Sequence, residues 1–268
     1  ILDECKANTK KIDFDDMIIK AIEYVESGKF KSPWRYIMVD EFQDISQPRA
    51  RLVKALRDSN KGSSVFAVGD DWQAIYRFSG ADIKLTTEFA TYFGFTTQTA
   101  LDPAQLDKTI TSLTQVSHPS VSLLRRSSNA SIGYKNSYYS DIPELLNGAI
   151  DDILCTIHSK ARKPTTVYFL ARFWFQLPTN TDIKTMSVKC PLLKIQSQSF
   201  HASKGKEADH VIIIGLQKGK HGFPSEKVAP AIIEALLPAP ENFAYAQERR
   251  LFYVALTRAK HRAYIIAD

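Results

Sequence analysis

The sequence predicts an α/β protein: parallel sheets flanked by helices. Three observations carry that expectation. Short stretches that read as strands recur at 36–39, 64–68, 166–170, 195–200, 211–214 and 263–266, all but 195–200 mainly apolar. Amphipathic stretches with helical spacing fall between several of them. Strand, helix, strand, helix is the rhythm of crossover units, which join parallel strands.

The elements follow in chain order. Residues 13–26 read as an amphipathic helix, with Phe14, Met17, Ile18, Ala21, Ile22 and Val25 at helical spacing and Gly28 as the stop. Residues 36–39 form a short, wholly apolar strand expected to be buried. Ser46 and Pro48 open the next helix as cap and first-turn proline. That helix carries Leu52, Val53 and Leu56 and ends near Asn60-Lys61-Gly62. A second buried strand, 64–68, closes at Gly69-Asp70. Residues 95–165 are rich in Ser, Thr and Asn, and only 141–157 reads as a helix there. From about 165 the strands return, followed by a helix over 247–260 and a closing strand at 263–266. No internal repeat or low-complexity tract interrupts this order.

Bulk properties bound the function. A chain of 268 residues suits two domains, and 44% hydrophobic with 24% charged residues supplies a large core. A formal charge of +6 suits nucleic acid, and equally suits a solvated surface with spare lysines. Cys5, Cys155 and Cys190 are widely separated and odd in number, which favours a reducing, cytoplasmic setting. The six histidines lack metal-ligand spacing. No run approaches the ~18 apolar residues of a membrane span. The first residues are no signal peptide and do not begin with Met, so the chain is expected to be an internal piece of a longer protein.

Four stretches carry chemistry. The run ending in Val39 closes with Asp40-Glu41, followed by Phe42-Gln43-Asp44. Parallel sheets present ligands at the carboxyl ends of their strands. There Asp40 can hold Mg²⁺, and Glu41 can orient and deprotonate an attacking water. The alternative is a solvated strand end. The next strand closes into GDDWQAIYRFSGA, residues 69–81. Gln73 can sense a phosphate, and Tyr76 and Phe78 flank Arg77 as rings that could stack on unpaired bases. The alternative is that both rings lie in the core. The third stretch is HASKGKE, residues 201–207. Its Ser-Lys-Gly turn offers backbone N–H groups and cations such as Lys204 to phosphates. The fourth is ERRLFYVALTRAK, residues 248–260, where Arg258 continues the apolar stripe of Leu251, Val254 and Ala255. An arginine so placed needs an anionic partner. That partner is a structural carboxylate or a phosphate.

These four stretches, in this order, resemble those of UvrD/Rep-type superfamily 1 DNA helicases across essentially the whole chain. The resemblance implies a P-loop NTPase fold with two RecA-like domains, the first one truncated, over 1–102 and 103–268. It implies ATP bound with Mg²⁺ between the domains, and single-stranded and partly duplex DNA as partner. By position, Asp40 would hold Mg²⁺, Glu41 would be the catalytic base and Gln73 would contact the γ-phosphate. Tyr76 and Phe78 would stack on bases. His201 and Lys204 would lie on the DNA side, Glu207 would reach the nucleotide sugar, and Arg258 would be the arginine finger. The 3′ to 5′ polarity comes from the family alone.

The sequence departs from the family in three places. No G-x-x-x-x-G-K-[ST] loop occurs. The family carries that loop upstream, so this chain is expected to be the C-terminal portion of a longer helicase and inactive on ATP by itself. The family's next arginine motif is absent after Leu101-Asp102, where Pro103 follows at once; Arg126-Ser127-Ser128 is a weak substitute. The stretch from Asp102 to His201 is too short for large accessory subdomains. Two other functions would suit parts of this pattern. A DNA-binding or scaffold module that lost its ATPase would explain the missing loop, but has no need of Glu41 or Arg258. A nuclease would need a carboxylate cluster beside a lysine beyond these motifs.

Overall fold

The computed structural model describes residues 12–94, 120–125, 144–217, 219, 221–227 and 229–267. The chain forms two compact units. Unit 1 holds Ile1–Ala100 and Pro230–Pro240, and unit 2 holds Leu101–Ala229 and Glu241–Asp268.

In unit 1, helix α1 (Phe14–Glu26) starts from a reciprocal cap in which Asp13 and Asp16 each accept the other's backbone N–H. It buries Ile22 and Val25, while Phe14 and Met17 of the expected apolar face stay exposed. Strands β1 (Tyr36–Val39) and β2 (Ser64–Ala67) pair in parallel, with Met38 opposite Phe66. The crossover between them is α2 (Gln47–Asp58), which has Ser46 as N-cap and Pro48 in its first turn. Two short helices follow, α3 (Lys84–Thr87) and α4 (Phe89–Phe93). Phe42, Ile45, Ala50, Leu85 and Phe93 form the core, with Val39, Ala67 and Val53 packed against it.

One expectation fails here. The strands exist where the apolar runs placed them, but they are not buried. Tyr36, Met38, Phe66 and Val68 are exposed, Met38 at 76%. Among the described residues, only the Val39 and Ala67 face meets helices. Two strands with one covered face cannot bury the other, although parallel sheets ordinarily lie covered on both.

Unit 2 is a five-stranded, all-parallel sheet in the order β3-β7-β6-β4-β5. Its strands are β3 (Ser120–Arg125), β4 (Thr165–Ala171), β5 (Leu193–Ser199), β6 (Ala208–Ile213) and β7 (Ala259–Ala267). Helix α5 (Glu144–Lys160) precedes β4, and α6 (Asn180–Lys189) joins β4 to β5. Ile150, Ile153, Leu154 and Ile157 of α5 pack with Val167, Phe169, Ile212 and Ile214. Met186 and Cys190 bring α6 into the same core. After β4 the chain moves outward to β5, and after β6 it moves the other way to β7. The order therefore reverses between β4 and β6, which is where open parallel sheets form their ligand crevice.

Helix α7 (Ala231–Leu236) belongs to unit 1, and α8 (Ala246–Leu256) to unit 2. The helix expected over 247–260 ends early. Ala259 already pairs with Ala208 in the sheet, so Arg258 lies in the turn and not on the helical stripe. The junction at Asp102-Pro103 and the Arg126-Ser127-Ser128 stretch fall outside the described residues. Among the described residues no helix is long and apolar enough to cross a membrane.

Candidate functional site

In unit 1 the pairing of β1 and β2 brings two carboxylate-bearing turns together. Val68 N–H donates to Val39 O, and Phe42 N–H donates to Val68 O, both at 2.9 Å. The main chain is thus locked on either side of Asp40-Glu41. Glu41 adopts the left-handed conformation, with φ 49°. That is uncommon for a residue with a Cβ and clusters at functional sites. Its N–H donates to Asp40 Oδ1 at 2.8 Å.

Side chains then link the two turns. Gln43, almost wholly buried, donates through Nε2 to Glu41 Oε2 at 2.5 Å. Its Oε1 accepts from Asp70 N–H at 3.0 Å. Asp70 in turn accepts from Gln73 Nε2 at 2.9 Å and from Trp72 N–H at 3.0 Å. Glu41, Gln43, Asp70 and Gln73 therefore form one hydrogen-bonded chain across two strand ends. Gly69 makes this possible, because a Cβ there would come within 2.5 Å of Gln43 Oε1. From sequence, Glu41 and Gln73 receive roles, and Gln43 is marked only as part of the motif, with no role of its own. Its signal was a lone amide between a phenylalanine and an aspartate at a strand end.

Asp40 is exposed at the tip of β1. Among the described residues no group of three His, Cys, Asp or Glu could hold a metal ion. A lone exposed carboxylate such as Asp40 could hold Mg²⁺ only with water and phosphate oxygens completing the shell. The Tyr76 and Phe78 rings meet edge to face at 5.9 Å. Phe78 is 61% exposed, so the core alternative fails for that ring. Tyr76 is half-buried, and its hydroxyl is pushed up in pKa by burial and then by Asp44 and Glu41.

In unit 2, His201 follows β5 and Arg172 follows β4. Arg172 Nη1 lies 3.5 Å from His201 Nδ1. The same guanidinium grips Glu248 on α8 at 3.0 Å, and Glu248 Oε2 also accepts from Ser225 N–H at 3.2 Å. Burial, then the Arg172 charge, lowers the His201 pKa to about 4. His201 is therefore a neutral ring at ordinary pH. Arg172 and Glu248 were not chosen from sequence, since each finds its partner across a long stretch of chain. Glu207 is exposed and pairs with Lys260 at 3.2 Å. Lys204 lies in the same turn and is partly buried. Arg258 is buried, and donates to Val254 O at 2.9 Å, Lys206 O at 3.2 Å and Thr257 Oγ1 at 3.0 Å.

Parallel sheets of this order, one with carboxylates at its strand ends, are those of RecA-like helicase domains. Residues 1–94 match the UvrD/REP helicase N-terminal domain, and residues 150–268 match the UvrD-like helicase C-terminal domain. The chain belongs to the UvrD/REP helicases of superfamily 1. It is 40% identical to DNA helicase IV of Escherichia coli (strain K12) over 275 residues, which cover 95% of this chain and 37% of that protein. A probable DNA helicase of Mycoplasma pneumoniae is 25% identical over 286 residues, 95% of this chain and 48% of that one. The ATP-dependent DNA helicase PcrA of Staphylococcus epidermidis is 35% identical over 88 residues, 31% of this chain and 12% of that one. The chain thus spans less than half the length of these relatives.

Proposed function

We propose that these residues are the C-terminal part of an ATP-dependent 3′ to 5′ DNA helicase acting in bacterial DNA repair or recombination, within the cytoplasm. The observation that carries this reading is the Glu41–Gln43–Asp70–Gln73 chain at two adjacent strand ends. Mg²⁺ on Asp40 would neutralise charge developing on the phosphates of ATP. Glu41, held by Gln43, would accept the proton of the attacking water. Gln73 would report the γ-phosphate through Asp70 to the same base. Tyr76 and Phe78 would stack on bases of the translocating strand, with His201 and Lys204 on its backbone. Glu207 would contact the nucleotide sugar. Arg258 would stabilise the charge of the transferring phosphoryl group.

The alternative is a DNA-binding or scaffold module without ATPase activity. Such a module would need no phosphate-binding loop, and residues 1–268 hold none. The bare face of β1 and β2 favours the first reading, because a module that works alone has no reason to leave Met38 and Phe66 uncovered. The deciding experiment measures DNA-stimulated ATP hydrolysis and strand separation by the full-length protein beside its Glu41→Gln variant. Hydrolysis should fall by about 10²–10⁴-fold in the variant. Residues 1–268 alone should hydrolyse ATP negligibly. Full activity in Glu41→Gln would remove the base assignment, and an inactive full-length protein would favour the scaffold.

A further inference from the structure

Arg77 stands between the two rings of the Tyr76-Arg77-Phe78 turn, yet its guanidinium is engaged elsewhere. Nε donates to Pro238 O at 2.7 Å and Nη2 to Glu234 Oε1 at 2.6 Å. The side chain is only 16% exposed. The Arg77 hydrogen bond also holds the Glu234 carboxyl below its ordinary pKa. Both acceptors lie in Pro230–Pro240, the segment that unit 1 takes from the middle of unit 2's sequence. Helix α7 buries none of its side chains, and Ile232 and Leu236 are exposed.

The next residue along, Glu241, is gripped within unit 2. Both its carboxylate oxygens accept from Arg250, which is buried on α8. Residues 234–241 are therefore a strap fastened at each end by an arginine, one in each unit. One fastening belongs to the turn that carries Tyr76 and Phe78. The other belongs to the helix that leads into Arg258. A guanidinium suits the first fastening because its rigid fork satisfies a carbonyl and a carboxylate together, which an ammonium does less well.

We propose that Arg77 is a positioning residue that passes DNA occupancy at Tyr76 and Phe78 through the 234–241 strap to α8, so that DNA stimulates ATP hydrolysis by this route. The inference rests on the helicase reading above and adds the route to it.

The test uses the full-length protein with Arg77→Ala, Glu234→Ala and Arg77→Lys. Hydrogen exchange of 234–241 reads the fastening. Single-stranded DNA affinity and ATP turnover with and without DNA read the coupling. In Arg77→Ala, exchange of the strap should quicken by roughly 10-fold or more. DNA affinity and DNA-free turnover should stay within about 2-fold, while DNA-stimulated turnover falls about 10-fold, an ordinary size for coupling between sites. Glu234→Ala should be milder, since the bond to Pro238 O survives, and Arg77→Lys milder still. The two conservative arms keep the test valid if Arg77→Ala folds poorly. Unchanged exchange would overturn the fastening. Faster exchange with full stimulation would overturn the route, as would a loss confined to DNA affinity. A wild-type protein with no DNA stimulation would overturn the helicase reading itself, and the route with it.

Discussion

In unit 2, Val167, Phe169, Leu170, Ile212 and Ile213 occupy both faces of a parallel sheet and are wholly buried. In unit 1, Tyr36, Met38, Phe66 and Val68 occupy one face of a parallel sheet and are exposed. Both sets are large, mainly apolar side chains. What differs is the cover: in unit 2 α5 and α6 pack on the Val167 and Phe169 face of five strands and the opposite face, with Leu170 and Ile213, is buried too, whereas unit 1 has, among the described residues, two strands covered on one side. Burial is thus a property of the assembly around a strand, and an apolar strand without its second layer stays solvated.

The contrast breaks most visibly at Phe169. Phe169→Ala removes a ring from a fully packed interior and should destabilise unit 2 by about 3–5 kcal/mol, read by chemical denaturation. A loss below about 1 kcal/mol would mean that the unit 2 core is far looser than its burial implies.

The next effect tests the strand ends that unit 1 does complete. Gly69→Ala would drive a methyl group into Gln43 Oε1 and against the Phe42 and Gln43 N–H groups. The clash should cost about 2–3 kcal/mol. It should also weaken ATP turnover in the full-length protein, because Gln43 would lose its hold on Glu41. Stability falling while turnover stayed intact would detach Gln43 from the chemistry.

Much of this molecule could be read before its structure. Most strands were legible because apolar runs at strand length keep a local signal, but β3 (Ser120–Arg125), set in the Ser- and Thr-rich stretch, went unread. Helix α1 was legible from its periodicity, although Phe14 and Met17 point to water. Helix α6 went unread: Asn180–Lys189 has little apolar periodicity, and its signal was the capping box of Thr179 and Asp182, whose hydroxyl and carboxylate bond at 2.6 Å. The end of α8 was misplaced because Ala259 and Lys260 suit a helix locally, while sheet pairing with Ala208 claims them. At the site, Asp40, Glu41 and Gln73 could be chosen because carboxylates and amides at strand ends have a known use. Gln43, Arg172 and Glu248 could not, because their roles arise from pairings that only the fold creates.

A third effect belongs to unit 2 and its neutral histidine. His201 is held near pKa 4 in the fold against about 6.5 when exposed. Below pH 6.5 the unfolded chain therefore binds a proton that the folded one refuses. Stability from this group is complete above 6.5 and is lost as pH falls toward 4. The loss should be on the order of 2 kcal/mol, and His201→Gln should flatten that part of the pH–stability curve. Arg172→Met should bring the ring's pKa back toward its ordinary value, followed by the titration of its NMR resonances. An unmoved titration would leave burial as the whole cause.

The smallest effect sharpens the comparison furthest. Phe66 and Met38 face each other across β1 and β2, at 60% and 76% exposure. In residues 1–268 alone, Phe66→Lys or Met38→Lys alters a mostly exposed cross-strand pair and should change stability by less than about 0.5 kcal/mol. If the full-length protein lays further structure on that face, the same lysines would be buried there without a partner. The cost should then rise to several kcal/mol, comparable with Phe169→Ala. The same substitutions measured in the two chains thus separate the readings. Near-zero change in both would mean that the bare face is bare in the whole protein too, and that exposed apolar strands here serve a partner and not a missing layer. A large change in the longer chain alone would make unit 1 a sheet whose second face is supplied by other parts of the same protein.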